Sequence, residues 1–403
     1  MNAPAFLQAF RHRDYRLLWS GAFLSSLGTW TQDVALAWLI HTRMGDPFYL
    51  GLRSFAADAP LVAFMLVGGA VADRVDRRHI LLTSQILQMT FAAALATLYA
   101  LGHLGIGPIL VLAFLTGLTQ SQSAPTYQAV LTTVVPPAQI PNAVALNSLQ
   151  FNLSRMVGPV VAGLLLARGG TFACFVVNVV SFLAVIIAIW RIDLPPPIAP
   201  LEKQTLARSL GDGLRFVWES PRLRVLTTLA AAASFLGFPL VTFMPVIAGD
   251  VLHTGAGGYS LLLSSFGAGA IVGALLTAQR GQAEGRGRLL LVAFVVYGVT
   301  ALAAAFSRHQ VLSMALLFVA GVAVVTGYSS LNSLVQENAP NAMKGRVLSI
   351  YGLAFRGGQP LGAVVAGLLV RSLGPSVVVG GFTLLLAVIA GLMLQRSATM
   401  KSL

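Results

Sequence analysis

The chain has 403 residues, of which 56% are hydrophobic and only 10% are charged, and its formal net charge is +13. About a quarter of the residues are charged in an ordinary soluble domain, so this composition excludes a soluble globular protein and indicates a polytopic membrane protein. A basic soluble chain would suggest nucleic acid as a partner. Here the basic residues fall mostly in short loops between apolar runs, where they orient a membrane protein. We therefore expect membrane lipid, and no nucleic acid, around this chain.

About twelve apolar runs follow one another along the chain, each near the twenty residues that a helix needs to cross a bilayer. They are continuous runs, unlike the alternating ten-residue strands of a membrane barrel. The sequence therefore predicts an all-α polytopic membrane protein with twelve transmembrane helices. The predicted spans are 17–41, 49–73, 79–101, 106–131, 143–167, 171–191, 223–249, 257–279, 287–307, 310–334, 346–371 and 374–395.

The Lys and Arg residues are distributed unevenly between alternate loops. If the N-terminus is cytoplasmic, most of the 26 Lys and Arg residues lie in inside segments, and the outside segments hold only Arg43, Arg168, Arg308 and Arg371. Basic residues are enriched in cytoplasmic loops of membrane proteins. The distribution predicts a multi-pass protein of the inner, bacterial-type cell membrane with both termini in the cytoplasm.

One long polar connection, 192–222, follows the sixth span. It opens with a run of three prolines, which makes a stiff spacer. Apolar residues then recur at helical spacing at Leu206, Leu210, Leu214 and Val217, which predicts a short amphipathic helix on the inner membrane surface. We therefore divide the chain into an N-terminal six-helix bundle (1–191), a cytoplasmic linker (192–222) and a C-terminal six-helix bundle (223–403).

The two predicted bundles repeat each other at an offset of 204 residues. Seven of the eight residues that begin at Gly158 are identical to those that begin at Gly362, with Pro159 opposite Ala363, and the same offset places Gly69 on Gly273. Parallel internal repeats of this kind are found in secondary transporters built from two related halves. The repeat predicts two six-helix pseudo-repeats with a central site between them.

A cluster of two acids and three arginines follows the second span. Such charges cannot lie in hydrocarbon, so they form a tight surface loop. The order Gly-x-x-Ala-Asp-Arg-x-x-Arg-Arg resembles the signature loop of the major facilitator superfamily, which usually has Gly where this chain has Asp76. The resemblance implies the major facilitator fold and a conformational lock at the cytoplasmic face. Its residues are Gly69, Asp73, Arg74, Arg77 and Arg78.

The fifth span carries a second motif, formed by Gly158, Pro159 and Gly163. It resembles the Gly-Pro motif of antiporter-type major facilitators, and simple close packing of helices is the alternative. Together with Pro125, Pro136 and the asparagines at 142 and 147, it resembles the exporter branch that includes the enterobactin exporter and macrolide efflux proteins.

Ionisable residues inside the spans are candidates for function, because burying a charge in a membrane is costly. Asp33 and Asp58 lie about 12–14 Å from the outer ends of their predicted helices, at 1.5 Å per residue. We interpret both as candidates for proton coupling; a structural ion pair for Asp58 and simple solvation for Asp33 remain alternatives. Arg155 and Arg356 lie near mid-depth in helices that line the cavity of this family, although either could instead bond to backbone carbonyls.

Polar residues within the spans complete the candidate cavity, and each could equally cross-link helices. With Arg155 and Arg356, the cavity candidates are Gln32, Gln120, Asn152, Asn178, Asn332 and Gln359. The sequence has a single cysteine, Cys174, and no phosphate-binding Gly-Lys-Ser/Thr loop. We expect no catalytic residues, no metal, no cofactor and no ATP hydrolysis.

These patterns predict a monomeric secondary transporter rather than an enzyme. The favoured hypothesis is a proton-coupled exporter of an amphipathic, drug-like or siderophore-like small molecule. A lipid or lysolipid flippase and a proton-coupled importer of a small metabolite remain alternatives, because the fold does not set the direction of transport. A channel or receptor would not need the repeated gating motifs.

Overall fold

The computed structural model describes residues 5–72, 76–194, 206–280 and 285–396, and within these ranges the chain forms helices and no strands. This confirms the predicted all-α class. The helices are α1 (Arg13–Leu39), α2 (Phe48–Ala72), α3 (Arg77–Ala100), α4 (Ile106–Thr133), α5 (Ile140–Arg191), α6 (Leu206–Glu219), α7 (Pro221–Gly237), α8 (Pro239–Thr242), α9 (Met244–Val246), α10 (Gly255–Arg280), α11 (Arg286–Phe306), α12 (Gln310–Asn338), α13 (Lys344–Leu373) and α14 (Pro375–Arg396).

Long apolar helices account for most of the described chain. Judged by length and composition alone, eight helical stretches of the described residues could cross a membrane. One of them, 137–191, contains two of the predicted spans. The two spans join at Gly170, where φ is 67° and ψ is −169°. Glycine adopts a positive φ without the steric penalty that a Cβ would cause, so the chain turns there.

The chain divides into two compact units. The first comprises 1–39 with 59–202, and the second comprises 40–58 with 203–403. The division cuts α2 after Asp58, because the beginning of this helix packs with the second unit. The domain boundaries proposed from the sequence place the segment 40–58 in the N-terminal bundle, whereas here it belongs to the second unit.

In the first unit, α1 packs along α5 over most of its length. The contact depends on small residues. A Cβ at Gly21 would lie 2.8 Å from the Cβ of Ala188, and a Cβ at Gly28 would lie 2.1 Å from the Oγ of Ser181. Both distances are shorter than van der Waals contact allows, so only glycine fits. Close approach of small residues is a main source of helix association in membranes.

The second unit repeats this principle with different partners. Helix α10 packs on α12, where Gly269 faces the carbonyl of Phe318 and Gly321 faces the carbonyl of Phe266. A Cβ on either glycine would lie within 2.1 Å of the opposing oxygen, so the two backbones interlock reciprocally. Helix α11 packs on α12 and α14, and α7 packs on α13.

The repeat found in the sequence occupies corresponding contacts in the two units. A Cβ at Gly158 of α5 would lie 2.4 Å from the Cβ of Trp30 on α1. A Cβ at Gly362 of α13 would lie 2.1 Å from the carbonyl oxygen of Phe235 on α7. In each unit, therefore, the matched glycine lets the same pair of repeat-related helices approach closely.

Helix α6 (Leu206–Glu219) lies in the stretch where the sequence predicts an amphipathic helix. Its described inner face packs on α13, with Val217 buried and Gly213 against the Cβ of Arg346. The Arg346 guanidinium also donates to the Oδ2 of Asp212 at 3.3 Å. Its Leu214 and Trp218 side chains are exposed, which suits a helix that lies at a membrane surface.

Candidate functional site

A polar cross-link joins α1 to the second part of α5. The Nδ2 of Asn178 donates to the Oε1 of Gln32 at 2.9 Å, and Asn178 is almost completely buried. The Oδ1 of Asn178 accepts weaker hydrogen bonds from Thr29 and Ser181, at 3.4 and 3.3 Å. These two candidate residues therefore satisfy one another inside the first unit, where burial of unpaired amides would be costly. The arrangement suits the helix-bonding alternative better than direct exposure to a ligand.

Arg155 lies on α5 beside an aromatic ring. Its guanidinium carbon is 5.8 Å from the centroid of the Trp30 ring, a cation–π distance. Because Gly158 also contacts Trp30, one tryptophan both sets the α1–α5 spacing and faces the arginine. Asn152, one turn earlier, donates to the carbonyl of Ser148 at 2.8 Å, within its own helix.

The two candidate carboxylates lie on different helices. Asp33 is half-buried near the end of α1, and the helical path continues beyond α1 through a π turn at Ile40–Met44. Asp58 is half-buried on α2, two residues before Pro60, which lies inside that helix. Asp58 falls at the last position of the segment that packs with the second unit.

Gln120 of α4 lies opposite a second glutamine. Its Nε2 is 3.5 Å from the Oε1 of Gln88 on α3, and Gln88 is buried. The pair links two neighbouring helices of the first unit at the limit of hydrogen-bonding distance. Gln88 carried no signal in the sequence beyond being one more polar residue in an apolar run.

Arg356 is exposed in the middle of α13. Seven and eleven residues are close to two and three helical turns, so Ala363 and Gly367 share its face. Toward the C-terminal end of α13, this face packs against the beginning of α2. A Cβ at Gly51 would lie 2.3 Å from the carbonyl oxygen of Ala363, and Gly367 lies against Phe48.

Three exposed apolar residues in the middle of α13, Leu361, Val365 and Leu368, lie on the opposite side of the helix from Arg356, and a fourth, Leu373, ends the helix. A charged group is costly on a lipid-facing surface, and Arg356 is on the side away from these residues. Arg356 is therefore exposed on a different side of α13 from these apolar residues.

The other candidates of the second unit lie on α12 and α13. Asn332 is exposed on α12 and accepts a hydrogen bond of 3.3 Å from Gln336. Gln359 is half-buried on α13. Between these two helices, the rings of Tyr328 and Phe355 meet edge to face with centroids 5.0 Å apart. Neither aromatic residue was predicted, since aromatic residues are common in apolar helices.

The charged loop after α2 is described only in part. Asp73 and Arg74 lie outside the described residues, and Gly69 lies near the end of α2. Asp76 is the N-cap of α3: its Oδ1 accepts from the backbone N–H of Arg78 at 2.8 Å. Arg77 is the first residue of α3, and the Arg78 guanidinium donates to the carbonyl of Ile192 at the end of α5. The acid that stands where the resembled loop usually has glycine thus caps α3.

The capping position lowers the pKa of the Asp76 carboxyl. The backbone N–H of Arg78 lowers the pKa of the Asp76 carboxyl, with a smaller contribution from the His79 imidazole 3.3 Å away. Ionised oxygen acceptors are favoured at helix N-termini, where free N–H groups and the helix dipole meet them.

Two ion pairs that the sequence did not suggest join the segment 40–58 to the rest of the second unit. Asp46 accepts from Arg371 at 2.5 Å, and the Nε2 of His41 is 3.4 Å from the Oδ1 of Asp250. Their partners are more than 200 residues apart, so no local pattern could have paired them. Among the described residues, no group of three or more His, Cys, Asp or Glu side chains could hold a metal ion.

Comparisons with known proteins agree with this architecture. Residues 5–402 match the family model described as transmembrane secretion effector. The chain is similar to the multidrug efflux pump Tap of Mycolicibacterium fortuitum, with 28% identity over 89% of each chain. It is also similar to the enterobactin exporter EntS of Shigella flexneri, with 25% identity over 93% of this chain and 90% of the relative. The D-xylose–proton symporter has a similar structure, with a TM-score of 0.75, 13% identity and coverage of 99% and 100%.

Proposed function

The chain belongs to the transmembrane secretion effector family of major facilitator transporters, and we propose that it exports an amphipathic, drug-like or siderophore-like small molecule in exchange for protons. It is a multi-pass membrane transporter and not an enzyme. One observation carries the proposal: the match to a secretion family extends over almost the whole chain, 5–402. Relatives of nearly equal length are named as a multidrug efflux pump and an enterobactin exporter, which supports outward transport.

The chemistry of the candidate residues supports an anionic or electron-rich substrate. Arg356 offers an exposed guanidinium at mid-helix, and Arg155 lies beside Trp30 in the other unit. A guanidinium donates paired hydrogen bonds to carboxylates and similar oxygen anions and also stacks on aromatic rings. Catecholate and carboxylate groups of siderophores have this chemistry, as do aromatic drugs with acidic groups.

Alternating access requires each unit to keep its internal packing while the two rearrange. The glycine contacts of α1 with α5 and of α7 with α13 are internal to the units, which supports movement as rigid bodies. We further propose that both termini are cytoplasmic and that the chain acts as a monomer. Asp33 and Asp58 are the proposed carriers of protons.

Transport in proteoliposomes tests the proposal. The purified protein is reconstituted with a pH gradient, and the uptake or release of an enterobactin-type catecholate and of a cationic dye is followed alongside internal pH. We expect substrate and proton movement in opposite directions. Movement of both in the same direction would identify an importer, and redistribution of a fluorescent lysolipid without catecholate transport would identify a flippase.

Deletion of the gene in the source cell provides the second arm. Loss of a secreted siderophore-like molecule, or reduced tolerance of an amphipathic drug, is the expected outcome. Unchanged secretion and tolerance, together with no transport in proteoliposomes, would contradict the export proposal.

A further inference from the structure

Two π-helical turns lie near the ends of repeat-related helical segments and contact each other in the second unit. The first, Ile40–Met44, follows α1, and the second, Ile247–Val251, ends the run of helices that begins with α7. π turns are rare and often lie at functional sites. His41 of the first turn meets Asp250 of the second, with Nε2 and Oδ1 3.4 Å apart.

The His41 ring is held in a defined position. Its side chain is only 13% exposed, whereas Asp250 is 58% exposed. A Cβ at Gly249 would lie 2.2 Å from the His41 Nε2, so the imidazole rests directly on the glycine backbone. The pair is therefore reachable by protons through Asp250 while the ring itself is fixed.

A second ion pair fastens the same segment. Asp46 accepts from Arg371 of α13 at 2.5 Å and also from the backbone N–H of Phe48 at 3.0 Å. The Arg371 guanidinium lies 5.4 Å from the centroid of the Phe48 ring. Neither partner of this second pair is a histidine, the side chain that changes its charge near neutral pH.

The two pairs differ in one chemical respect. A histidine changes its charge between about pH 5 and pH 8, and the charged form attracts a carboxylate. Two other titratable or charged groups lie near the first pair in the chain: Arg43, exposed on the same turn as His41, and His253, two residues after the second turn, whose Nδ1 lies 3.1 Å from the carbonyl oxygen of Gly249. A proton on His41 strengthens the contact with Asp250, whereas the Asp46–Arg371 contact does not respond.

We propose that His41 and Asp250 form a proton-binding site that fastens the segment 40–58 to the second unit when protonated. The division between the units falls within α2, after Asp58, so this segment must leave the second unit if α2 moves with the first. The importance of this site for transport rests on the proposed function. The proposed orientation puts the site on the non-cytoplasmic side of the membrane. Acid on that side holds the contact closed.

Spin-label distances test the site without any substrate. Cysteines replace Phe55, which is exposed on the first part of α2, and Leu373, which is exposed at the end of α13. The background carries Cys174→Ala, since the natural cysteine is buried and would otherwise react on opening. Distances are measured in lipid nanodiscs at about pH 5.5 and about pH 8, which bracket histidine titration.

We call molecules with the longer distance between the two labels the separated population. We expect this population to be about two- to fivefold larger at the higher pH, which is the change in equilibrium that one partly exposed ion pair gives. His41→Gln and Asp250→Asn should remove this dependence on pH. Asp46→Asn is the matched control: it removes one carboxylate from the other pair, so it should enlarge the separated population at both pH values while the pH dependence remains.

Asp46→Asn also makes a pH effect easier to detect. If the segment 40–58 is in contact with the second unit in almost every wild-type molecule, this variant raises the separated population to a measurable level. The same distance distribution at both pH values in the wild type and in Asp46→Asn would overturn the proposal. So would a pH dependence that persists unchanged in His41→Gln. Failure of export in proteoliposomes would leave this distance measurement intact, so the two proposals fail separately.

Discussion

Gly158 and Trp30 pack so closely that a Cβ on the glycine would lie 2.4 Å from the Cβ of the tryptophan. The same Trp30 faces the Arg155 guanidinium, so the contact that spaces α1 and α5 also positions a candidate substrate residue. The glycine motif that the sequence offered as either an antiporter signature or a packing element therefore has a direct steric role.

Gly158→Ala should destabilise the first unit, because the new methyl group cannot fit beside Trp30. Overpacking of this kind typically costs about 1–3 kcal/mol. Gly381→Ala is the matched control, since Gly381 lies within α14 with nothing within 4 Å of its potential Cβ. Thermal unfolding of the purified protein in detergent should show a lower melting temperature for Gly158→Ala and an equal or higher one for Gly381→Ala. Equal behaviour of the two variants would contradict the steric role.

Arg155→Gln and Arg356→Gln should each weaken transport of an anionic substrate more than that of a cationic one. Loss of a hydrogen bond to a charged group costs about 1.5–3 kcal/mol, which corresponds to tenfold or more in affinity. Competition assays with a catecholate and a cationic dye of similar size measure the ratio. A loss of the same size for both substrates would indicate a structural role for the arginines, such as the Trp30 contact.

Asp76→Ala should loosen the first turn of α3, because the N-cap acceptor for the Arg78 N–H is removed. Caps of this kind contribute about 0.5–2 kcal/mol, and asparagine is as good a cap as aspartate. Hydrogen exchange of the first turn should therefore be faster in Asp76→Ala and nearly unchanged in Asp76→Asn. Fast exchange in both variants would assign the effect to charge rather than to capping.

The lowered pKa of Asp76 gives the sign of the pH dependence. Folding favours the ionised carboxyl, so its contribution is present above the unfolded pKa and is lost as pH falls through the lower folded value. Protection of this turn should be constant at neutral pH and should weaken only in acid below about pH 4.

Docking of α6 on α13 should depend on packing more than on charge. The Arg346–Asp212 pair is partly exposed on both sides, and such pairs contribute about 0–1 kcal/mol. Gly213 lies against Arg346, so Gly213→Leu should displace α6, whereas Gly211→Leu, where there is open space, should not. Limited proteolysis within 206–219 measures the release. Release by Asp212→Asn but not by Gly213→Leu would show that the ion pair dominates.

The helices were predictable because each membrane span needs a long apolar run, and such a run is a contiguous stretch of the sequence. The repeat between Gly158 and Gly362 was predictable for a related reason: close helix packing needs small residues at matching positions. Pairings across the fold were not. Asn178 bonds to Gln32 across 146 residues, and His41 meets Asp250 across 209. Only the tertiary packing brings such residues together, and each one alone is an ordinary polar residue.

Proton coupling is the remaining prediction. An exchanging carboxylate must bind a proton in one conformation and release it in the other, so it must change its exposure to water. Asp33 is the favoured carrier because it lies on a helix that lines the cavity in this family, beside Gln32. Asp58 is the second choice, since Pro60 interrupts hydrogen bonding on its helix.

Asp33→Asn should abolish substrate-linked proton flux in proteoliposomes while substrate binding persists, with Asp58→Asn tested separately. Asp193→Asn is the control, because this aspartate is exposed beyond the end of α5. Full proton flux in both Asp33→Asn and Asp58→Asn would exclude these two residues as the carriers.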